Sequence, residues 1–426
     1  MQQIPPRRGH RVRPGYLRLL LSNRGFRLVW AGTVVSFLGD WLTTVAVLTI
    51  ATELSDSALV VSAVMIAKTL PIFLVSPVAG SLADRVDRRL LMIGSDLGRA
   101  GLVVAMIACY WARNLELLMA VLTLRTLVAG FFIPARTAAI PDLTDAHELP
   151  VAIALSGGTW SVMLAVGAAL GGMLTAWVGV TGALALDAVT FLGSAALLWG
   201  LPALPPRDET SAGSPGFIDG IRVLKGRVYL PSLLVLKSTL AVSGGVLVLL
   251  PLFATEASGR GVPMLPGAEA PLLLGLLYAS RGLGALVGSM GVRLAVGDAM
   301  RTLQWSIVPA FGILSLMYVG MSYAPNFAVL ALCLGVAMVG SGVVWTFSGT
   351  LGQLATEREV RGRLFALEFG LTMLVSSLAS FGMGGLVDAG VEPRRALLGL
   401  AVLSVVPGVL WAAVLLLGPD VQRVRS

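Results

Sequence analysis

Residues 80–89 read Gly80-Ser81-Leu82-Ala83-Asp84-Arg85-Val86-Asp87-Arg88-Arg89, a cluster of five charges between two long apolar stretches. Charges this dense do not lie in hydrocarbon, so the cluster predicts a short turn at a membrane surface. Its three arginines indicate that this surface is the cytoplasmic one.

The composition is typical of an integral membrane protein. Of the 426 residues, 56% are hydrophobic and 13% are charged, whereas about 25% are charged in soluble domains. Apolar runs of about 20 residues, the length that crosses hydrocarbon as a helix, recur throughout the chain. A β-barrel would show short alternating segments instead. We therefore predict an all-α polytopic membrane protein.

Twelve apolar runs are long enough to span a membrane as helices. We number these predicted spans 1 to 12: 26–50, 58–82, 90–111, 115–135, 151–177, 181–201, 229–255, 271–292, 303–322, 326–348, 365–388 and 394–417. With both termini inside, 22 of the 31 lysines and arginines fall on cytoplasmic segments and four on the opposite loops. This bias supports the predicted orientation.

A long polar interval divides the spans into six and six. Weak internal symmetry, typical of transporter repeats, supports the division, because a shift of 213 residues carries Lys68 onto Arg281. We predict a cytoplasmic basic N-terminus 1–25, a six-helix bundle 26–201, a cytoplasmic linker 202–228 with an amphipathic helix at 217–225, a second six-helix bundle 229–417 and a cytoplasmic tail 418–426.

Residues 80–89 resemble the signature between the second and third helices of the major facilitator superfamily of secondary transporters, and the resemblance covers nearly the whole chain. Asp87 stands where that family usually has glycine. The resemblance implies a cytoplasmic latch that holds the two halves together near the start of span 11 when the cavity opens outward. Its members are Gly80, Asp84, Arg85, Arg88 and Arg89. The alternative interpretation is a solvated turn that obeys the positive-inside rule.

Two further segments resemble family signatures. Arg125 followed by Gly130 in span 4 is similar to the second signature, and residues 167–172 in span 5 resemble the antiporter signature. Small residues at four-residue spacing also permit close helix packing, so Gly167, Gly171 and Gly172 have a purely structural alternative.

Residues 38–43 and 359–363 resemble the superfamily branch that includes enterobactin exporters and macrolide efflux proteins. The resemblance implies export of an amphipathic organic molecule.

Nine ionisable residues lie inside the predicted spans, where such groups persist only if they are paired or face a wet cavity. The family fold implies that spans 1, 2, 4, 5, 7, 8, 10 and 11 line the cavity. Asp96 and Arg99, three residues apart in span 3, are predicted to pair with each other. Asp187 is predicted to lie near a helix end. The six cavity candidates are Asp40, Lys68, Arg125, Lys237, Arg281 and Glu368.

The candidates have different predicted roles. A group that couples transport to protons must change its charge as its surroundings change, and a carboxylate can do this. Asp40 is therefore the first choice as proton carrier. Arg125 is the cation that would contact it when it is charged. Glu368 is the second choice, or belongs to the latch around Asp84. Lys68, Lys237 and Arg281 either recognise an anionic or zwitterionic substrate or pair with carboxylates or carbonyls.

The sequence therefore predicts a proton-coupled exporter of a small amphipathic molecule, such as a drug, macrolide or siderophore, in the inner or plasma membrane. Its partners would be this substrate, protons and membrane lipids, and we expect a monomer without nucleic acid. No catalytic motif, phosphate loop or metal-ligand pattern is present, so we expect no cofactor and a proton gradient as energy source. An importer or lysolipid flippase, and a non-transporting scaffold or receptor, remain the alternatives.

Overall fold

The computed structural model describes residues 15–145, 147–206, 229–297, 299–356 and 358–417, and nearly all of them are helical. The predicted amphipathic linker helix, the tail 418–426 and residues 1–14 of the predicted N-terminal region lie outside the described residues.

A short helix, Tyr16–Ser22, precedes the membrane helices. We label the membrane helices to match the predicted spans. They are α1 (Arg24–Leu54), α2 (Ala58–Arg85), α3 (Arg88–Trp111), α4 (Leu115–Leu143), α5 (149–178), α6 (180–199), α7 (Tyr229–Arg260), α8 (Ala270–Val296), α9 (Met300–Ser322), α10 (Phe327–Ala355), α11 (Arg358–Asp388) and α12 (Pro393–Leu417).

Helices α5 and α6 form one helical run, Leu149–Trp199, of 51 residues. At a rise of 1.5 Å per residue this run would be far longer than a membrane is thick. Gly179 divides it, because its φ of 72° lies in the left-handed region and does not continue a helix. The run contains a π-helical turn, Met163–Gly167, and α7 and α8 contain irregular turns at Ser243–Gly245 and Val287–Gly291. With this division, twelve helices correspond to the twelve predicted spans.

Three asparagines set where helices begin. The side chains of Asn23, Asn114 and Asn326 each accept a hydrogen bond from the backbone N–H three residues further on, at 2.9, 2.9 and 3.0 Å. This contact satisfies one of the donors that the first turn of a helix leaves free. The polar residues between apolar runs thus start α1, α4 and α10.

Several helices extend beyond the predicted spans, and the largest difference is in α4. The sequence prediction ended span 4 at residue 135 and placed Arg136 in a cytoplasmic loop, which is wrong, because α4 continues through Pro134 and Pro141 to Leu143. A proline inside a membrane helix is tolerated where neighbouring groups satisfy the freed carbonyl. Arg136 is therefore a helical residue with its guanidinium over the Phe37 ring of α1.

The helices before and after the polar interval meet chiefly along two pairs, α2 with α11 and α5 with α8. Glycines permit the close approach in both pairs. A Cβ on Gly172 of α5 would come within 2.7 Å of Gly275 of α8, and a Cβ on Gly384 of α11 would come within 2.8 Å of the Ala58 carbonyl oxygen of α2.

Among the residues that the structure describes, the side-chain contacts between α2 and α11 lie toward one end of the pair. The contacts run from Ala58 with Asp388, through Thr69 with Ser377 at 3.2 Å, to Phe73 with Gly370. Beyond Phe73, Leu74 and Val78 of α2 are each 62% exposed, whereas Ala79 and Ala83 stay buried. We call the end with Arg85 the basic end and the end with Ala58 the far end.

Candidate functional site

Arg125 of α4 is the centre of a buried charged network. Its Nη2 lies 2.8 Å from Oδ1 of Asp40 on α1 and 3.2 Å from Oδ2 of Asp187 on α6. Both the Arg125 and the Asp187 side chains are almost completely buried, whereas the Asp40 side chain is 33% exposed. One arginine thus joins three helices and holds one enclosed and one accessible carboxylate.

Asp187 is the functional residue that sequence reasoning missed. It was expected near a helix end, but it lies at the centre of the network and also accepts a hydrogen bond from the Thr43 hydroxyl. A signal was present, because Asp187 is only a few residues from the midpoint of its span, as Asp40 is in span 1. Equal depth in neighbouring helices permits a shared partner.

The predicted pair of Asp96 and Arg99 in α3 is confirmed, since the two side chains form an ion pair one turn apart. The pair is not isolated, because Arg99 Nη1 lies 3.7 Å from Oδ2 of Asp40. The Arg99 guanidinium also lies 4.3 Å from the centre of the Phe191 ring. Stacking of this kind stabilises a cation that has little water around it. The network around Asp40 therefore extends into α3.

Lys68 of α2 completes the network on its far-end side. Its ammonium group donates to the Thr44 hydroxyl of α1 and lies in the field of Asp40 and Asp187. The helices before the polar interval thus place three aspartates around three cations, namely Asp40, Asp96, Asp187, Lys68, Arg99 and Arg125.

One buried ion pair is found among the described residues of the helices after the polar interval. Lys237 Nζ of α7 lies 2.8 Å from Oε1 of Glu368 on α11, and both side chains are less than a tenth exposed. The Lys237 ammonium group also lies 4.5 Å from the centre of the Trp345 ring. In this conformation Glu368 pairs with Lys237 rather than with a member of the Asp84 latch.

Arg281 of α8 has no carboxylate within 4 Å among the residues that the structure describes. It lies near Tyr278 and Tyr318. One turn before Arg281, the Tyr278 ring contacts the Trp41 ring of α1, with 5.4 Å between ring centres. This aromatic contact joins the two halves of the chain close to the charged network.

The basic cluster at residues 84–89 is divided between two environments. Arg88 is buried and pairs with Asp142 at 2.8 Å, and Arg89 donates to the Trp199 carbonyl oxygen at 2.6 Å. Asp84 and Arg85 are exposed. The two later arginines therefore join α3 to its own half, while the first aspartate and arginine face outward at the basic end.

Two details of the cluster differ from the sequence interpretation. A Cβ on Gly80, a latch member by resemblance, would meet no atom within 4 Å among the described residues, so no helix packs closely on Gly80 in this conformation. Asp87 caps α3, because its carboxylate accepts from the Arg89 N–H at 2.8 Å. An aspartate at this position thus starts the next helix.

The far end is closed by a cap between the two halves. Asp388, the last residue of α11, accepts hydrogen bonds from the Ala58 N–H at 2.7 Å, the Leu59 N–H at 3.3 Å and the Ser57 hydroxyl at 2.5 Å. A carboxylate at the start of a helix satisfies free N–H groups and complements the helix dipole. Nothing in the sequence alone linked residue 388 to residue 58.

The three glycines of the antiporter-like segment contact two different neighbours. Gly167 and Gly171 face Trp41 of α1, where an added Cβ would come within 2.8 and 2.9 Å of that residue, and Gly172 faces α8. This segment therefore brings α1 and α8 close together around the Trp41–Tyr278 ring pair.

A separate cavity of about 350 Å³ lies at the far end, lined in part by Glu256, Arg260 and Arg394. Glu256 is 2.7 Å from Arg260 and 3.5 Å from Arg394, so these charges satisfy one another. This cavity is distinct from the network around Arg125.

Comparison with known proteins identifies related sequences. The family described as transmembrane secretion effectors matches residues 20–421. An uncharacterised MFS-type transporter, YfiS of Bacillus subtilis, is 31% identical over 49% of this chain, and macrolide efflux protein A of Streptococcus pyogenes is 32% identical over 35%. The chain spans 51% and 37% of the length of these two relatives. Another uncharacterised MFS-type transporter, y4rN of Sinorhizobium fredii, is 26% identical over 84% of this chain and 86% of its own length.

Solved structures share the fold. The nucleoside transporter NupG superposes with a TM-score of 0.69 at 15% identity, covering 91% of this chain and 99% of NupG. A bacterial homologue of the lysosomal transporter Spinster, in an inward-facing and unoccupied conformation, gives a TM-score of 0.67 at 14% identity and covers 92% of this chain and 96% of its own. These proteins are transporters rather than enzymes.

Proposed function

Because the chain belongs to the transmembrane secretion effector family of the major facilitator superfamily, we propose that this multi-pass membrane protein is a secondary active transporter. It exports a small amphipathic organic molecule in exchange for protons. The observation that carries the proposal is the position of Arg125 between the accessible Asp40 and the enclosed Asp187.

The unequal exposure of the two carboxylates gives them different roles. Asp40 can exchange a proton with water because a third of its side chain is exposed, whereas Asp187 is sealed. When Asp40 takes up a proton it loses its charge attraction to Arg125, but Arg125 keeps Asp187 and is not left as an unpaired buried charge. Protonation can therefore change the contact between α1 and α4 without unfolding the site.

The transport cycle is alternating access between two six-helix bundles, 26–201 and 229–417, which rock about the pairs α2–α11 and α5–α8. Contacts along α2 and α11 from Ala58 to Phe73, and the exposure of Leu74 and Val78 just beyond them, support a conformation closed at the far end and open at the basic end. In the opposite conformation the exposed Asp84 would cap the start of α11 as Asp388 caps α2 here.

The setting of this cycle follows from the charge bias. We propose a monomer in the inner or plasma membrane, with both termini, the linker 202–228 and the tail in the cytoplasm and the basic end facing inward. Basic residues at that face complement anionic lipid head groups. No cofactor is needed, because a proton gradient supplies the free energy.

Export is proposed because a macrolide efflux protein is among the relatives. An importer of the same fold would move the probe in the opposite direction, so the assay must report the direction of flux. A lysolipid flippase would act on lipid rather than on the probe.

The test is flux of a macrolide, an aromatic cation and an aromatic carboxylate in vesicles with an imposed proton gradient. Gradient-driven efflux of at least one probe is expected for the wild type, and Asp40→Asn should lose it. Asp84→Asn should slow turnover, and Arg260→Gln, whose side chain is 72% exposed, is the matched control. Absence of gradient-driven flux for every probe would refute coupled transport.

A further inference from the structure

Two arginines in the membrane helices, Arg136 and Arg281, have no carboxylate partner within 4 Å among the residues that the structure describes. Buried arginines are normally neutralised, and Arg88, Arg99 and Arg125 each have at least one aspartate. Nε and Nη1 of Arg136 are buried without any hydrogen-bond acceptor. Unsatisfied donors on a cation that has no carboxylate partner are free to donate to an anionic ligand.

Arg136 lies against one face of α1, and Arg281 follows, by one helical turn of α8, a residue that contacts the same face. Phe37, Trp41 and Thr44 are spaced four and three residues apart, so they share that face. Phe37 is covered by Arg136 at 5.3 Å, Trp41 contacts Tyr278, and Arg281 follows Tyr278 by one helical turn. At the far-end side of the same face, Thr44 accepts from Lys68. Positively charged residues are therefore placed close to this aromatic face along most of its length.

The order of these contacts is set by helix direction. Helix α1 runs from the basic end to the far end and α8 runs in the opposite direction. Arg281 is therefore on the basic-end side of the Trp41–Tyr278 ring pair, and Lys68 is on the far-end side. A molecule that enters from the open basic end would meet the arginines first and the ring pair next.

We propose that the substrate of this transporter is an aromatic anion, which binds Arg136 and Arg281 while its ring stacks on the aromatic face of α1. The proposal rests on the proposed transport function and names the substrate class of the same site. Guanidinium groups pair with carboxylate, sulfonate or phosphate through charge-assisted hydrogen bonds, and aromatic rings pack on Phe37 and Trp41. A cation would gain the ring contact but would be repelled by both arginines.

Lys237 is excluded from this role because Glu368 neutralises it at 2.8 Å. The Lys68 ammonium group donates to the Thr44 hydroxyl, on the far-end side of the ring pair. The charge that remains for a ligand therefore lies on Arg136 and Arg281. The structure thus separates the three cations that the sequence left as equivalent candidates.

The test uses the full-length protein in nanodiscs of uncharged lipid, with empty nanodiscs as the blank. Three probes share one ring system and differ in charge: naphthalene-2-sulfonate, 2-naphthylmethanol and 2-naphthylmethylammonium. Equilibrium dialysis is expected to show that the sulfonate binds at least about tenfold more tightly than the ammonium, since a hydrogen bond to a charged group contributes an affinity factor of about ten or more.

Variants of the two arginines test which residues cause the preference for the sulfonate probe. Arg281→Gln and Arg136→Gln should each weaken sulfonate binding about tenfold and leave ammonium binding unchanged or stronger. Arg281→Lys keeps the positive charge and should retain part of the sulfonate affinity. It is therefore the control for loss of binding through misfolding. Arg260→Gln, at an exposed arginine, should change nothing. Equal binding of the three probes, or an equal loss for all of them in the glutamine variants, would overturn the proposal.

This measurement does not depend on proton coupling. Selective sulfonate binding without gradient-driven flux would uphold the substrate class and refute the proposed coupling. Gradient-driven flux of the aromatic cation alone would uphold coupling and overturn the substrate class.

Discussion

The two halves of the molecule manage buried charge in different ways. In the first half, Arg125 contacts two carboxylates and Arg99 approaches one of them. In the second half, Lys237 has Glu368 alone. Protonation of one carboxylate leaves the first network with a paired arginine, but protonation of Glu368 would leave Lys237 as an unpaired buried cation. The comparison favours Asp40 as the proton carrier and makes Glu368 a structural partner.

The largest expected effect comes from Arg125→Gln. Removing this cation leaves Asp40 and Asp187 close together without their shared partner. Removing one member of a buried pair costs about 3–5 kcal/mol, so thermal stability should fall strongly and gradient-driven flux should be lost. Wild-type flux and melting temperature in this variant would contradict the central position of Arg125.

The next effect in size is on Asp40→Asn. The amide preserves the shape of the side chain but carries no exchangeable charge, so we expect gradient-driven flux to fall more than tenfold, as for the loss of a coupling of at least about 1.4 kcal/mol. Downhill counterflow of the same probe should continue, because binding and rocking remain. Flux measured with equal probe concentrations on the two sides of the membrane reports counterflow. Flux measured with an imposed proton gradient reports coupled transport. Full coupling in this variant would show that the carrier lies elsewhere.

A smaller effect on transport is expected for Glu368→Gln. This change should destabilise the fold by about 3–5 kcal/mol through the stranded Lys237, while the remaining folded protein stays proton-coupled. The double variant Lys237→Met/Glu368→Leu removes both charges and should recover most of the stability. A loss of coupling in both variants would transfer the carrier role to Glu368.

The smallest effect is expected for Asp388→Ala at the far end. Loss of a helix cap costs about 1 kcal/mol, which shifts a two-state equilibrium about fivefold. The shift should favour the conformation that opens at the far end. Cysteine labelling at Ser57, measured against Glu392→Ala as an exposed control on the same face, would detect it. Unchanged labelling would show that the cap does not bias the equilibrium.

Much of the fold followed from sequence because hydrophobic length and charge placement are local properties. The twelve spans, the division near Gly179 and the pairing of Asp96 with Arg99 required only neighbouring residues. The partnership of Asp40 and Arg125 was suggested by equal depth and opposite sign, and the structure places these side chains 2.8 Å apart.

The remaining features depended on how each helix is rotated about its axis and on which helices are in contact. Neither can be read directly from the amino-acid sequence. Asp187 was expected near a helix end. Its orientation toward Arg125 depends on helix rotation, which cannot be read from the sequence. Arg136 was placed in a loop because the apolar run of span 4 was taken to end at residue 135, whereas the helix continues to Leu143. The cap of Asp388 on α2 joins residues 330 positions apart and required the antiparallel packing of α2 and α11. The roles of the latch residues stay a prediction.

The most direct test of the central claim is infrared difference spectroscopy of the purified protein, titrated with pH in nanodiscs of uncharged lipid. We expect a protonated carboxyl band that forms as the pH falls, that is missing in Asp40→Asn and that persists in the stabilised Lys237→Met/Glu368→Leu variant. A band that persists in Asp40→Asn and disappears in the double variant would contradict the account.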